Sequence, residues 1–363
     1  MPTASGWIYT GEGFEEGAVT FQDGTVTEVS RQRAGDALAK GLILPGFVNA
    51  HTHLGDAVVL EEPKGTLEEV VAPPEGLKFR RLKAATREEL TTAVRRALRR
   101  MLQGGTSTAL DFREGGQPGL SALRDAASGL PVNVVALGRP VGLHYDEREV
   151  ARLLKILDGI GVSSLSDWES GPLSELARHV KSNGLLFALH ASEAFREDID
   201  AILDLHPDFL VHMTAGRPSD WERVASEDIP VALSPRSQVF FGRVPDIPGM
   251  VQAGMRLMLG TDNAMLAHPS LLREMEFAYQ VARLQGGVLP EAILAMAYEA
   301  ANLLTGPSRM AIQEGEPCNF LVLDIPWGGD AAYRVIKASE ADIALLAFGP
   351  WAWDRERGWL REG

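Results

Sequence analysis

The run NAHTHLGD places His51 and His53 one residue apart at the close of an apolar, β-type segment. Side chains at i and i+2 of a strand share a face, so both imidazoles are expected to point into one site. His190 closes a second such segment in FALHASE, His212 a third in FLVHMTA, and Asp262 a fourth in MLGTDNA. Neutral imidazoles joined by one carboxylate are a donor set for Zn²⁺ or a similar divalent ion, with a position left for water. A single histidine after an apolar run is usually a hydrogen-bonded strand-end residue, but five such groups at the ends of regularly spaced strands argue for a metal. The remaining histidines mark the contrast. His179 falls in the helical stretch ELARHVKS and His206 precedes a strand, where surface or capping roles suffice. His144 and His268 lie on loops after the third and eighth apolar segments and are candidates to face substrate.

The scaffold that must hold these groups is legible as a repeat. Apolar runs LILPGFVNAH, TSTALDF, VNVVALG, GVSSLS, LLFALHAS, DFLVHM, PVALS and MRLMLGT alternate with amphipathic stretches such as TREELTTAVRRALRRMLQ, DEREVARLLKILDG, PLSELARHVKS and PSLLREMEFAYQVARLQ. Apolar residues in the latter recur at three and four, the helical period. Eight β-then-α units, with β runs too apolar for one wet face, predict an α/β fold, a (β/α)8 TIM barrel over residues 45–312. Its C-terminal face would then carry the five chemical residues. Residues 1–44 and 313–363 read as short strands and turns, with Asp23-Gly24 as a hairpin turn and FLVLDIP and YRVIKASEADIALLAF as further strands. A small β-sandwich domain built from both termini is expected. The stretch Glu61 to Leu82, EEPKGTLEEVVAPPEGLKFRRL, is an insertion after the first barrel strand and is expected to form a lid.

Composition narrows the function classes. A net charge of −14 repels polyphosphate and anionic lipid, so neither a nucleic-acid polymer nor a membrane is an expected partner. The most apolar stretch, Ile343 to Trp353, is interrupted by Gly349 and Pro350 and is shorter than the about 20 residues that cross a bilayer. One cysteine, Cys318, and an N-terminus MPTASGWIYTGEG without a basic-then-apolar leader point to the cytoplasm.

Taken in order, LPGFVNAHTHLGD, LHASE, FLVHMTA, SPRSQ and LGTDNAM resemble the signature of the amidohydrolase superfamily. The resemblance is to its aminohydrolase and chlorohydrolase branch, which acts on s-triazines, cytosine, guanine and adenosine-type compounds; PKGTLEEVVAPPEGLKFRRL is similar to an archaeal group within it. It implies a hydrolytic deaminase of a small nitrogen heterocycle. One divalent ion, zinc first with iron or manganese as alternatives, would be held by His51, His53, His190 and Asp262. Asp262 would also take the proton of the attacking water, His212 would stand beside that water, and Glu193, three residues after His190, would carry protons. Dinuclear members bridge two metals with a carboxylated lysine at strand four. Here only Lys155 and Lys181 fall in that interval, both in helical stretches, which disfavours a bridged pair. Without the resemblance, Glu193 reads equally well as a solvated acid opening the helix SEAFREDIDAIL, with Ser192 as its N-cap. SPRSQ carries Gln238 where asparagine is common, and GEPCNFLVLD carries Asn319 where aspartate is common. Substrate contacts are expected from Arg139, as a receptor for an anionic substituent, and from His144, Ser237 and His268. The same metal site would serve a chlorohydrolase or a cyclic amide hydrolase, and a non-catalytic scaffold is the reading from another class. A homo-oligomer, a dimer, is the expected assembly.

Overall fold

The computed structural model describes residues 1–305, 311–355 and 358–361; the parts of the two expected domains at 306–310, 356–357 and 362–363 lie outside the described residues. Its strands fall into two sheets. The first is assembled from both ends of the chain. From the N-terminal side come β1 (Thr3–Tyr9), β2 (Phe14–Gln22), β3 (Thr25–Ser30) and β4 (Ala39–Pro45). The turn between β2 and β3 is Asp23-Gly24, with φ of 51° and 75°. Two consecutive left-handed residues match the twist of an antiparallel pair, which is why this dipeptide makes the hairpin.

The second sheet is the barrel: β5 (Phe47–His53), β6 (Thr106–Arg113), β7 (Asn133–Gly138), β8 (Gly159–Val162), β9 (Leu186–Ala191), β10 (Phe209–His212), β11 (Val231–Leu233), β12 (Leu257–Leu259) and β13 (Asp262–Asn263). Neighbours pair in parallel in chain order from β5 to β12, and β13 pairs in parallel with β5, which returns the sheet to its start. The result is TIM-barrel-like. Val48, Ala50, Leu110, Phe112, Val135, Leu137, Ala188, Phe209, Val211, Ala232 and Met258 form a core cluster separate from the one their strand neighbours share with the helices. The period-2 alternation thus packs one side of each strand inside the barrel and the other under the helices.

The chain then returns to the first sheet with β14 (Asn319–Leu323), β15 (Ile343–Phe348), β16 (Trp351–Asp354) and β17 (Gly358–Arg361). All eight strands form a single hydrogen-bonded sheet, in which β14 lies beside β4. One expectation is corrected here: YRVIKASEADIALLAF is not strand throughout, since Ala331–Ile336 is a helix. Asp330 caps it by accepting from the Tyr333 N–H at 2.9 Å, and Val335 and Ile336 are buried beneath it.

A second correction concerns the fourth barrel strand, expected over GVSSLS and found over Gly159–Val162. Ser164 accepts the Ser166 N–H at 3.2 Å and caps a 3₁₀ turn, so the serines bond locally and leave the ladder. The insertion after β5 forms two short helices, α1 (Leu67–Val71) and α2 (Leu77–Ala84). A longer helix, α3 (Arg87–Gln103), follows, its start fixed by a reciprocal cap between Thr86 and Glu89 and its stripe of Val94, Leu98, Met101 and Leu102 buried. Each such fully buried aliphatic side chain contributes about 1.5–3 kcal/mol to holding the helix on the barrel.

Candidate active site

Strict alternation would not bring the five donor residues together; three local departures from it do. On β5 an extra residue is accommodated between Asn49 and Thr52, whose partners on β6 are Ala109 and Asp111. This bulge shifts the parity, so that His51 and His53 follow Val48 and Ala50 inward while Thr52 turns outward to donate to Asp111 at 3.1 Å. On β10, Phe209 and Val211 face inward and His212 should face out. Left-handed backbone at His212 (φ 78°) and Met213 (φ 57°) turns its ring to the cavity instead. Asp262 is also left-handed, at φ 54°. Such strain is held only where the surroundings over-determine it. Here a buried clasp does so, with Asn49 Nδ2 donating to Thr261 Oγ1 at 2.8 Å and the Thr261 N–H donating to Asn49 Oδ1 at 3.0 Å. Gly260 permits the approach, because a Cβ there would meet the His51 Cβ at 2.6 Å.

The ligand atoms of His51, His53 and His190 lie within 4.8 Å of one another, as do those of His51, His212 and Asp262. Hydrogen bonds define the tautomers. His190 Nδ1 lies 2.8 Å from the Val162 carbonyl, an acceptor only, so Nδ1 carries the proton and Nε2 a lone pair. His53 Nδ1 faces Glu114 Oε1 at 2.8 Å and the Phe112 carbonyl at 3.2 Å, which leaves its Nε2 unprotonated as well. These two Nε2 atoms face each other at 3.3 Å. Two lone pairs do not make a hydrogen bond; a shared cation satisfies both. Buried His212 Nδ1 lacks a hydrogen-bond partner, and His51 Nε2 reaches only Asp262 Oδ1, at 3.2 Å. The donor set therefore fits a divalent metal ion.

Electrostatics agree with that fit. Burial lowers the pKa of all four imidazoles, to about 4 for His53 and His212, keeping them in the neutral, ligating form. Burial pushes Asp262 up, but the hydrogen bond and charge of His51 outweigh it and hold the carboxyl well below the usual range. Its Oδ2 accepts from Ser237 Oγ at 2.6 Å. Glu193 behaves in the opposite way. Burial, with the Asp262 charge added, pushes it up to about 8, and its Oε1 lies 3.4 Å from His212 Nε2.

A cavity of about 140 Å³ opens over these groups, lined by His53, His190, Glu193, His212, Asp262 and, from the insertion, Leu67, Val71, Lys78 and Phe79. Arg139 lines it too, its guanidinium 5.2 Å from the Phe79 ring centroid. Ser237 acts on Asp262. His144 and His268 are not in the lining. Left-handed Leu143 (φ 52°) precedes His144, which is exposed with Nδ1 3.1 Å from the Gly142 carbonyl; His268 is held outside by Arg236, which donates to its carbonyl at 2.6 Å. Ser192 caps no helix, since the helix after it begins only at Ile199, and its N–H donates instead to buried Glu197 at 2.7 Å. Gln238 accepts from the Ser234 N–H at 3.3 Å and donates to Thr214, tying two barrel loops together. No lysine lies on β8; Lys155 is exposed in a turn rather than in a helix, and Lys181 pairs with Asp208.

Residues 42–344 match the profile of the amidohydrolase family. The chain belongs to that family. An archaeal protein of Methanothermobacter thermautotrophicus, provisionally named an aminohydrolase, is 30% identical over 350 residues, covering 89% of this chain and 90% of its own. Among solved structures, an adenosine deaminase from Xanthomonas campestris with bound zinc superposes with a TM-score of 0.76 at 15% identity, covering 96% of this chain and 91% of that one. E. coli guanine deaminase does so with a TM-score of 0.76 at 17% identity, covering 98% and 100%. This amidohydrolase is thus a hydrolase of carbon–nitrogen bonds on a barrel it shares with those structures.

Two charged residues of its site escaped the sequence reading. Glu114 directly follows Arg113, the last residue of β6, and is buried. Lys78, from α2, donates to Glu114 Oε1 at 2.6 Å. Burial would raise the Glu114 pKa, but Lys78, His53 and Arg113 outweigh it and hold the carboxyl well below its ordinary value. The alternation on β6 offered a signal for Glu114. An insertion helix offered none for Lys78.

Proposed function

We propose that this amidohydrolase is a metal-dependent deaminase, replacing an amino group on a small nitrogen heterocycle such as a purine, pyrimidine, pterin or triazine with hydroxyl and releasing ammonia. The observation that carries the reading is Glu193. Its carboxyl lines the cavity with Oε1 3.4 Å from His212 Nε2, and burial and the Asp262 charge raise it to about 8 in the metal-free protein, so it is placed to hand a proton to a ring nitrogen. Ammonia is a poor leaving group unless its nitrogen is protonated, so such an acid suits deamination more than loss of chloride.

His51, His53, His190 and Asp262 would hold one ion, with His212 at the same place; the imidazole-rich set suits zinc, with iron or manganese as alternatives. An ion held there supplies Lewis acidity that lowers the pKa of a water toward neutrality. Asp262, its Oδ2 engaged by Ser237, would take the proton of the attacking water as the oxygen adds to the ring carbon. Glu193 protonates the adjacent ring nitrogen, while His212 stands 3.4 Å from Glu193, beside the developing charge. The proton on Asp262 would then pass to the amino group, the carbon–nitrogen bond would break with its electron pair leaving in ammonia, and the ring nitrogen would return its proton to Glu193. A cavity of about 140 Å³ is close to the roughly 150 Å³ that accepts one benzene ring, and Arg139 on its wall is placed to receive an anionic substituent. We assign the work to the cytoplasm and take residues 1–44 with 313–363 as a β-sandwich domain beside the barrel.

Assaying ammonia release by the zinc-loaded protein across purines, pyrimidines, pterins and triazines tests the reading. Release from one of these classes supports it. Release of chloride from chlorotriazines with none of ammonia would replace it.

A further inference from the structure

We propose that Lys78 is a positioning residue that latches the insertion to the metal-ligand cluster, so that loading the cluster seats α1 and α2 over the cavity. Lys78 is the one buried side chain of α2, with only 3% of it exposed. Leu77, Phe79 and Leu82 of α2 are only half-buried, so its one fully buried anchor is an ion pair, Lys78 Nζ to Glu114 Oε1 at 2.6 Å. The same oxygen accepts from His53 Nδ1 at 2.8 Å. One carboxylate oxygen therefore joins the insertion to a ring whose other nitrogen faces His190.

Glu114 has little freedom to serve any other partner. Its Oε2 is held by Arg113 Nη2 at 3.0 Å, and Arg113 Nη1 in turn lies 3.5 Å from Asp111 Oδ2. Withdrawing an ammonium from water costs several kcal/mol, which only a well-placed partner offsets, so the seat of α2 depends on where Glu114 points. With a cation on His53 Nε2, the Nδ1–H stays the donor and keeps Glu114 in place, the arrangement in which an outer carboxylate orients a metal-bound histidine. Without one, the lone pairs of His53 and His190 repel at 3.3 Å, one ring turns away, and the hold on Glu114 and then on Lys78 loosens. By linkage, the order of the insertion and the loading of the cluster must then depend on each other.

The inference rests on the metal reading, and the experiment separates the two. Zinc binding to the full chain is first titrated, and amide hydrogen exchange over residues 67–84 is then compared in zinc-loaded and chelator-stripped protein. Zinc should slow exchange there about tenfold or more, the size of effect an outer partner of a metal ligand carries. Lys78→Met should still bind zinc yet lose the zinc-dependent slowing, and Lys78→Arg should restore part of it. Glu114→Gln, should Lys78→Met fail to fold, must lose the slowing as well. A chain that takes up no zinc overturns the metal reading and the latch together. Zinc binding with unchanged exchange over 67–84, or slowing retained in Lys78→Met, overturns the latch alone.

Discussion

Glu193 and Asp262 are two carboxyls in one cavity whose surroundings drive them apart. Histidine contacts keep Asp262 charged, while burial and the Asp262 charge keep Glu193 protonated. Glu193→Gln preserves size and hydrogen bonding but cannot pass a proton. Turnover of an amine substrate should fall by about 10² to 10⁴ with metal content unchanged, as steady-state rates and metal analysis would register. A loss of metal would make Glu193 a ligand. The raised pKa also has a stability consequence. Because the folded value, about 8, exceeds the ordinary 4.5, the native state of the metal-free protein holds a proton the unfolded chain has lost. That contribution is complete below the ordinary value and disappears as pH rises through the folded one. Urea unfolding at pH 5 and pH 8.5 should show a smaller decline for Glu193→Gln than for the parent. Asp262→Asn should leave the fold intact, since the apolar barrel core is untouched, and reduce turnover below a few per cent. Higher residual activity would mean another group takes the water's proton.

Among the elements, the short helix Pro235–Phe240 matters because it carries Ser237 to Asp262. It is seated by Glu274, a fully buried residue that accepts from the Arg236 N–H at 3.0 Å and from Arg236 Nε at 2.6 Å. Glu274→Ala leaves the mostly buried Arg236 guanidinium without that partner and should cost about 3–5 kcal/mol in denaturant unfolding. Glu274→Gln should cost less and still lower turnover through Ser237. The insertion makes the opposite case. Replacing 61–82 by a short linker removes few buried apolar residues, Leu67 and Val70 among them, but one wall of the cavity. Its loss should depress kcat/KM far more than Tm, and equal losses would mark the segment as structural.

For the whole molecule, the expected metal content is close to one divalent ion per chain. The five donors fall in two triads that share His51, and β8 carries no lysine that could bridge a second ion. Elemental analysis returning two ions, with a modified lysine between them, would overturn this. The net charge of −14 belongs to the same scale, since it disfavours polyanionic partners without affecting a small neutral ring.

The fold was largely readable because it rests on local pattern. Runs such as TSTALDF and LLFALHAS are apolar enough to be buried on both faces, and TREELTTAVRRALRRMLQ repeats at the helical period, so the order of strands and helices follows from short stretches of chain. The errors fell where local bonding overrides pattern, at the serines after β8 and at the Asp330 cap of Ala331–Ile336. The donor residues were legible as types at strand ends. Their convergence was not, because it depends on a bulge in β5 and on left-handed backbone at His212 and Asp262, which distant contacts such as the Asn49–Thr261 clasp hold in place. Lys78 and Glu114 lie 36 positions apart and meet only because the insertion folds back over the barrel mouth. Desolvation and neighbouring charge, the forces that keep Glu193 protonated and Glu114 ionised, arise only once tertiary structure has excluded water and brought those charges together.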